Sequence, residues 1–519
     1  MVDLLKCLVD TDAQAAEDKA FNRVAKIHKY WSRKPFHLVE SCIQKYSRKG
    51  DLVLDPFCGS GSTGLESILN ERRYIGYDLN PAAVFITNCT LTSKFNEKEF
   101  LQEVAKLKSD IFDEIMDLYK APNGRFIVYS MVSKNVNDYN AVISDKDFQD
   151  KLKVQLDSKY IHPSVQIPVF VTYPDELFPK KFYKDRFSYK GIHYVSEMFT
   201  PRNLYALAIL YNYIKDTPLK YKDFFILAFS NTLLHASKLK SENVRPLSVN
   251  NYWVPDDHIE ENVIWRYLDR INNIVKAKEQ IIKKAKGRDL DGLFEIRNCS
   301  SIHLSEIEDN SVDYIITDPP YGETIQYSEL SYIWNCWLGK AFDINQEVII
   351  NPVQNKGIDD FQSQISIFIK SAYRVLKEGA SFTLCFQNKD PHIWIDIINC
   401  IRDTGFELED IKIYDTFGSP YNKHWSKFSP KADLYVTFKK ANFVVGNQKQ
   451  VNTEDIIDKV IELCSETTLN NNKCYDLFVA AVIDSVFDGM EITDIKKWTL
   501  KRIVTTYEEK FRALERRNT

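Results

Sequence analysis

The chain has 519 residues, enough for two to four domains. Hydrophobic residues make up 44% and charged residues 27%, as in globular proteins, and no apolar run of about 18 residues predicts a membrane span. The formal charge of -4 excludes a chain that is basic throughout, so a nucleic-acid binder would have to concentrate its cations locally. The ten cysteines form no CxxC pair and residues 1–19 lack a signal-peptide pattern, so we expect a cytoplasmic protein without a metal site or a disulfide framework.

The first residues of the chain predict the opening of a doubly wound α/β sheet. The predicted elements are an amphipathic helix over 36–46, a buried strand over 51–55, a glycine-bearing turn over 56–64, a helix over 65–70 and a second strand over 73–78. This β-turn-α-β order is typical of nucleotide-binding sheets.

The alternation then stops for roughly 200 residues, far longer than an ordinary connection. Helices are predicted over 97–119, 202–215, 224–237 and 260–286, around an irregular middle at 160–190 that is rich in proline and aromatic residues. We therefore expect a large, mostly helical insertion over 96–295.

The sheet resumes with a predicted strand over 312–317 that leads directly into Asp318-Pro319-Pro320-Tyr321. Further elements are a helix over 362–376, a strand over 380–386, a helix over 394–404, a strand over 408–414, and helical sequence after about 446. The sequence thus predicts a Rossmann-like doubly wound sheet divided between 1–95 and 296–445, with a small helical C-terminal region over 446–519.

Gly59 and Gly61 follow a buried strand and precede a helix. Without a Cβ, such residues let backbone N–H groups approach a ligand closely. Asp78, at the end of the next strand, is placed to accept hydrogen bonds from ribose hydroxyls. A tight turn without chemical role would show the same glycines, but the ordered series of strand, turn, helix, strand and acid favours a ligand site.

These segments resemble a known family. The run Asp55-Pro56-Phe57-Cys58-Gly59-Ser60-Gly61-Ser62-Thr63 resembles the DPFxGSGTT signature of the amino-methylating (adenine-N6 and cytosine-N4) DNA methyltransferases, and 74–81 resembles their FIGxExNP segment. The resemblance implies S-adenosyl-L-methionine as cofactor, with Asp55, Phe57, Gly59 and Gly61 at its pocket and Asp78 on its ribose.

Upstream, residues 31–35 resemble the xQKP element of the same family. The resemblance implies that Lys34 helps to hold the methionine part of the cofactor, where a cation would face a carboxylate. The alternative is a solvated lysine at the start of a helix.

Asp318-Pro319-Pro320-Tyr321 matches the DPPY motif of that family and lies where ligands bind in such sheets, beyond the end of a strand. A base amine is a poor nucleophile because its lone pair is delocalised into the ring. The Asp318 carboxylate and the Pro319 carbonyl are suitable acceptors for its N–H groups, and Pro319 and Pro320 stiffen the loop. Tyr321 offers a flat face for an extruded base. The alternative is a turn without chemical role.

Two features refine the assignment. The family usually has Gly-Asp-Ser where this chain has Asn298-Cys299-Ser300, so the acid that contacts the cofactor adenine is missing. No proline precedes a cysteine, which excludes the cysteine nucleophile that methylation at cytosine C5 uses.

The order of the motifs implies that residues of about 95–295 carry target recognition on double-stranded DNA. The basic and aromatic stretch 180–190 is a candidate contact surface, and Lys238, Lys240 and Arg245 form a second local group of cations. Segments 200–204 and 251–255 resemble parts of larger relatives whose target is unknown.

The Asp at the first position of the DPPY-like motif favours adenine N6, with cytosine N4 as the alternative. An RNA enzyme acting on tRNA guanine N2 is disfavoured, since only about 50 residues precede the glycine turn. A non-catalytic DNA-binding subunit on the same scaffold is a further alternative, which the missing acid at Cys299 favours and the intact tetrapeptide disfavours. The resemblance also implies a role in restriction-modification, phage defence or solitary genome methylation, with any nuclease on a separate subunit.

Overall fold

A computed structural model describes residues 8–9, 23–31, 33–132, 139–179, 182, 187, 190–247, 251–415, 430, 432–442, 449–465 and 473–518. In these ranges, no helix combines the length and the apolar character needed to cross a membrane.

The strands are β1 (Leu8–Val9), β2 (Leu52–Asp55), β3 (Arg73–Tyr77), β4 (Phe126–Val132), β5 (Tyr139–Ser144), β6 (Leu152–Leu156), β7 (His258–Glu261), β8 (Phe294–Arg297), β9 (Val312–Thr317), β10 (Leu376–Phe386), β11 (Phe406–Asp415), β12 (Ala432–Lys440), β13 (Lys449–Val451) and β14 (Met490–Ile492).

The α-helices are α1 (Phe36–Tyr46), α2 (Ser62–Leu69), α3 (Pro81–Leu91), α4 (Glu97–Asp117), α5 (Ser158–Ile161), α6 (Pro201–Asp216), α7 (Lys222–Ala236), α8 (Val263–Ala285), α9 (Tyr327–Leu330), α10 (Tyr332–Leu338), α11 (Ile358–Val375), α12 (Pro391–Thr404), α13 (Thr453–Ser465), α14 (Cys474–Phe487) and α15 (Leu500–Asn518).

An eight-stranded sheet in the order β1-β11-β12-β10-β9-β2-β3-β8 forms the centre of the molecule. The five strands from β10 to β8 are parallel, and β12 runs antiparallel between β10 and β11. This arrangement confirms the predicted Rossmann-like α/β fold. From β2 the chain moves one way to β3 and β8, and β9 and β10 lie on the other side. Ligands bind in such sheets at this reversal, beyond the carboxyl ends of the strands.

Both faces of the sheet are buried, which explains the nearly continuous apolar strands. On β9, Tyr314 and Ile316 pack into a hydrophobic cluster with the insertion helices, whereas Ile315 packs into a second cluster with α11, α12 and the C-terminal helices. This alternation follows the two-residue period of a strand.

The insertion packs against the sheet as part of the same core. Phe225 of α7 and Ile271 of α8 belong to the cluster that also holds Phe36 of α1 and Ile86 of α3. The predicted helices are present, and a four-stranded antiparallel sheet in the order β6-β5-β4-β7 accompanies them. The sequence analysis did not predict this sheet.

The C-terminal region is helical, as predicted, and also carries the parallel strand pair β13 and β14. Its helix α14 lies on the face of the central sheet, where Phe487 contacts Phe438 of β12 with ring centroids 5.5 Å apart. The region therefore shares the core of the sheet.

Candidate active site

A cleft of about 880 Å³ opens at the reversal of strand order, beyond the carboxyl ends of β2, β3 and β9. Of the residues predicted for the site, Lys34, Asp55, Phe57, Gly59, Asp78, Asp318 and Pro320 line it. Gly61, Pro319 and Tyr321 belong to the same two loops without being part of the wall. The structure thus brings the segment before α1, the glycine turn and the tetrapeptide to a single cleft.

Gly59 and Gly61 are required by the turn that leads into α2. Their φ angles of +52° and +81° lie in the left-handed region, which favours glycine. A Cβ on Gly61 would lie 2.8 Å from Cγ2 of Thr87, and one on Gly59 would lie 3.1 Å from the ring of Tyr30. The turn is therefore pressed between α3 and the segment that carries Tyr30.

Asp78 ties this turn to the end of β3. Its carboxylate accepts hydrogen bonds from the backbone N–H of Gly59 at 2.9 Å and of Asn80 at 2.8 Å. Burial raises the pKa of Asp78 to about 7, although the two N–H donors lower it. The cleft thus has a fixed acidic acceptor on its wall.

Asp55 joins the two strands at the reversal. It is 3% exposed, and its Oδ1 accepts hydrogen bonds from the Thr317 hydroxyl at 2.8 Å and from the Phe57 N–H at 3.2 Å. Burial raises the pKa of Asp55 to about 6. These contacts fix the end of β2 against the residue that precedes Asp318.

Aromatic side chains form much of the remaining wall. Phe57 packs edge-on against Phe368 of α11, with ring centroids 5.2 Å apart. Tyr30 and Trp31 also line the cleft, and Tyr30 lies parallel to Tyr327 at 6.1 Å. The sequence analysis missed Tyr30 and Tyr327. Tyr30 had one signal in the sequence, its position immediately before the segment 31–35, and Tyr327 had none.

Lys34 lies directly on Asp318. Its Nζ is 3.1 Å from Asp318 Oδ2 and 3.9 Å from Asp433 Oδ2, and it donates a hydrogen bond to the Tyr321 hydroxyl. Burial lowers the pKa of Lys34, but Asp318 and Asp433 outweigh it and hold that pKa above its usual value. Lys34 therefore stays charged beside Asp318.

Asp318 has one oxygen engaged and one available. Burial raises the pKa of Asp318 to about 6, against the lowering effect of Lys34 and of a hydrogen bond from Tyr321. Its Oδ1 is buried and accepts no hydrogen bond from the residues that the structure describes. Because a buried carboxylate oxygen without a donor is unfavourable, Oδ1 is suited to accept from a bound ligand.

The tetrapeptide is also held from the far side of the sheet. Asn388, just after β10, donates from Nδ2 to the Tyr321 carbonyl at 3.2 Å. The Asn388 carbonyl in turn accepts from the Tyr475 hydroxyl of α14 at 3.1 Å and from the Trp394 ring N–H at 3.3 Å. The Tyr321 ring packs edge-on against Phe386 at 5.4 Å.

The segment that lacks the expected acid lies at the same cleft. Asn298 donates from Nδ2 to the carbonyls of Asp78 at 3.0 Å and Leu79 at 3.1 Å, and Ser300 lines the wall. Another acid, Glu347, also lines the cleft and accepts from the N–H and hydroxyl of Ser328. The sequence analysis missed Glu347, because no recognisable motif surrounds it.

The structure describes only Phe182, Phe187 and Lys190 of the stretch 180–190, so its interpretation as a contact surface stays a prediction. Phe182 and Phe187 are buried and pack against Phe178 and Tyr252 of the core. Lys190 forms an ion pair with Asp256. Residues 180, 181, 183–186, 188 and 189 lie outside the described residues. Phe182 and Phe187 are therefore core residues.

A family model described as DNA methylase (N6_N4_Mtase) matches residues 11–88. The chain is 21% identical over 403 residues to Type II methyltransferase M.MjaII of Methanocaldococcus jannaschii, covering 72% of this chain and 74% of that protein. It is 44% identical over 52 residues to Type II methyltransferase M.Cfr9I of Citrobacter freundii, covering 10% of this chain and 17% of that protein. These matches support an amino-methyltransferase family for the chain.

Among solved structures, TrmN from Thermus thermophilus matches with 9% identity and a TM-score of 0.28, over 82% of this chain and 53% of that one. The score is too low to bear on function.

Proposed function

We propose that this chain is an S-adenosyl-L-methionine-dependent DNA methyltransferase that methylates an exocyclic base amine, namely N6 of adenine. The observation that carries the proposal is the state of Asp318: one oxygen lies on Lys34, and the other is buried without a donor at the wall of the cleft. The match to the DNA methylase family and the Type II methyltransferase relatives support methylation of DNA.

The residues of the cleft fit the cofactor chemically. Its ribose hydroxyls are donors for Asp78, its carboxylate suits the cations of Arg33 and Lys34, and its sulfonium and adenine suit the aromatic wall of Tyr30 and Phe57. When bound, the cofactor supplies an electrophilic methyl group. The acid that contacts the cofactor adenine in the family is replaced by Cys299. Ser300 and Glu347, which line the cleft, would supply polar groups for the adenine.

Asp318 would activate the base amine. By accepting one N–H at Oδ1, it draws the nitrogen out of conjugation with the ring and directs the lone pair toward the methyl group. The Pro319 carbonyl would accept the second N–H. Lys34 and Tyr321 hold the carboxylate in place before the base arrives, so no reorganisation is needed at the moment of transfer.

Tyr321 would stack on the extruded base. The Lys34 ammonium donates a hydrogen bond to its hydroxyl and lies 5.1 Å from the ring centroid, and the ring packs perpendicular to that of Phe386. These contacts fix the ring, and a face of the ring is proposed for the base. We further propose that residues 96–295 carry target recognition.

Asp318 favours adenine N6 over cytosine N4, because Asp at the first position of this motif is similar to the adenine-N6 enzymes, whereas Ser is more usual in the cytosine-N4 enzymes. Direct transfer requires no covalent intermediate with the protein.

The test is methyl transfer from labelled S-adenosyl-L-methionine to unmethylated bacterial genomic DNA, followed by nucleoside analysis. We expect label in N6-methyladenine, and loss of label with Asp318→Ala. Asp458→Ala is the matched control, because Asp458 lies on an exposed part of α13, outside residues 96–295, with 54% of its side chain exposed. Label in N4-methylcytosine would correct the base. Label in tRNA alone would overturn DNA as substrate, and unchanged transfer by Asp318→Ala would overturn the mechanism.

A further inference from the structure

Six basic side chains gather where the insertion meets the segment that leads into the cleft. We call this group the cationic face; its members are Lys29, His235, Lys240, Arg245, Arg266 and Arg270. They come from three places in the chain: the segment 23–31, the end of α7 with the loop after it, and the first turns of α8. The fold therefore assembles positive charge that is dispersed in the sequence.

Among the described residues, the acids that form ion pairs with the cationic face are too few to balance its charge. The buried carboxylate of Glu261 forms ion pairs with Lys240 and with the Arg266 guanidinium, whose Nε lies 2.6 Å from Glu261 Oε2. Asp269 receives Arg266 at 3.2 Å and Arg270 at 3.0 Å. With His235 neutral, the five cations and the two carboxylates that pair with them in the described part of the chain leave three positive charges.

The uncompensated charge contributes to lowered pKa values of Lys29 and His235. Burial, together with the charge of Arg245, lowers the pKa of Lys29 to about 8. Burial also lowers the pKa of His235 well below its usual value, with added effects of Arg266, Arg270 and the two lysines. Nε of Arg270 is buried and has no hydrogen-bond partner in the described part of the chain. Like charges this close are unfavourable unless an anion joins them.

The cationic face is partly exposed, and one of its members precedes a residue of the cleft wall. Arg245 is exposed, and Lys240, Arg266 and Arg270 keep between 13% and 22% of their side chains exposed. Lys29 directly precedes Tyr30, which lines the cleft. Anions bound here would lie near the segment that brings Tyr30 to the cleft.

We infer that the cationic face binds the phosphate backbone of the DNA next to the base that enters the cleft. This inference rests on the proposed function. Regularly spaced phosphates match a row of cations drawn from three segments, and guanidinium groups bind phosphate in paired hydrogen bonds. Such contacts position the duplex without reading its sequence, so they are needed whichever target the insertion recognises.

The test is the salt dependence of binding to unmethylated bacterial genomic DNA fragments between 50 and 200 mM salt, with Arg245→Gln, Arg270→Gln and the double variant. Each lost phosphate contact reduces the slope of log K against log salt by about 0.9, so the double variant should lose about 1.8 and bind about tenfold or more weakly. Arg73→Gln is the matched control, because Arg73 is exposed at the amino end of β3, away from the cleft. It should leave slope and affinity unchanged.

Binding of S-adenosyl-L-methionine without DNA, and the unfolding temperature, should be the same in all variants. If Arg270→Gln unfolds, the exposed Arg245→Gln alone still tests the inference with an expected slope change of about 0.9. If the wild type methylates DNA but the variants keep its slope and affinity, the inference is wrong and the proposed function stands. If the wild type neither binds nor methylates DNA, or if only tRNA binding responds to the variants, both fail.

Discussion

Replacement of Lys34 by methionine tests the electrostatic core of the proposed mechanism. Lys34→Met removes the charge beside Asp318 and keeps most of the apolar stem of the side chain. Because the ammonium favours the ionised carboxylate, its loss must raise the pKa of Asp318. The ionised carboxylate is the better acceptor for an amine N–H, so the acid limb of the pH–rate profile should move to higher pH.

The distance between the charges sets the size of this shift. At the 3.1 Å that separates Lys34 Nζ from Asp318 Oδ2, the attraction is about 1.3 kcal/mol with the dielectric constant of water and about 5 kcal/mol with an effective value of about 20. One pKa unit corresponds to about 1.4 kcal/mol. The acid limb should therefore move from about pH 6 to about pH 7 or above. At pH 6, the ionised fraction falls from about one half to about one tenth or less.

The assay is single-turnover methyl transfer from pH 5 to 9 at saturating cofactor and DNA, with each rate divided by the plateau at high pH. This division separates the titration of Asp318 from any loss of affinity. Lys45→Met is the matched control, since Lys45 lies 2.6 Å from Asp410 in a half-exposed pair on α1 and β11. It should leave the profile unchanged. An acid limb that stays near pH 6 in Lys34→Met would refute the assignment of the limb to Asp318.

Three further predictions concern the cofactor turn and the insertion. Asp78→Asn offers only one acceptor oxygen to the two N–H donors of the turn, so we expect calorimetry to show S-adenosyl-L-methionine binding weakened about tenfold or more; equal affinity would exclude Asp78 from the cofactor site. Gly61→Ala combines a left-handed φ with a Cβ 2.8 Å from a side-chain carbon, so the free energy of unfolding should fall by about 1–3 kcal/mol. Gly50→Ala, with a similar φ of +87° and no atom within 4 Å of the added Cβ, should lose less free energy of unfolding. An equal loss would show that the contact with Thr87 contributes nothing. Arg202→Met leaves the buried charge of Glu260 without its partner and should cost about 3–5 kcal/mol of unfolding free energy in denaturant titrations. Adding Glu260→Gln to Arg202→Met should recover part of the lost free energy of unfolding. A double variant as unstable as Arg202→Met alone would contradict the ion-pair explanation.

The parts of the fold that sequence could predict are those with local signals. The strand over 312–317 and the helix over 36–46 have the predicted bounds, because each is an apolar pattern ended by a turn or by Gly50. The loop at the end of β2 was predicted for the same reason, since glycines between a strand and a helix indicate a turn, and Gly59 and Gly61 have φ angles of +52° and +81° there. Such features depend on neighbours along the chain.

The parts that were missed depend on distant partners. Strand β12 has alternating apolar residues, but only its pairing with β10 and β11 gives it a place in the sheet. Strand β4 likewise needs β7, which follows it after three helices. The same holds for the site: no sequence pattern joins Lys34 to Asp318, or Glu347 to the cleft. The predicted contact of Lys34 with the cofactor stays a prediction.

Hydrogen bonds connect the C-terminal helix α14 to the tetrapeptide 318–321. Tyr475 of α14 holds the Asn388 carbonyl, and the Asn388 side chain holds the carbonyl of Tyr321. From the segment before α1, Lys34 donates a hydrogen bond to the Tyr321 hydroxyl and forms an ion pair with the Asp318 carboxylate. The tetrapeptide is thus fixed from both sides before any substrate binds, which is the condition for electrostatic stabilisation without reorganisation. In the proposed reaction the base must therefore come to the acceptors, since the acceptors are not free to move to the base.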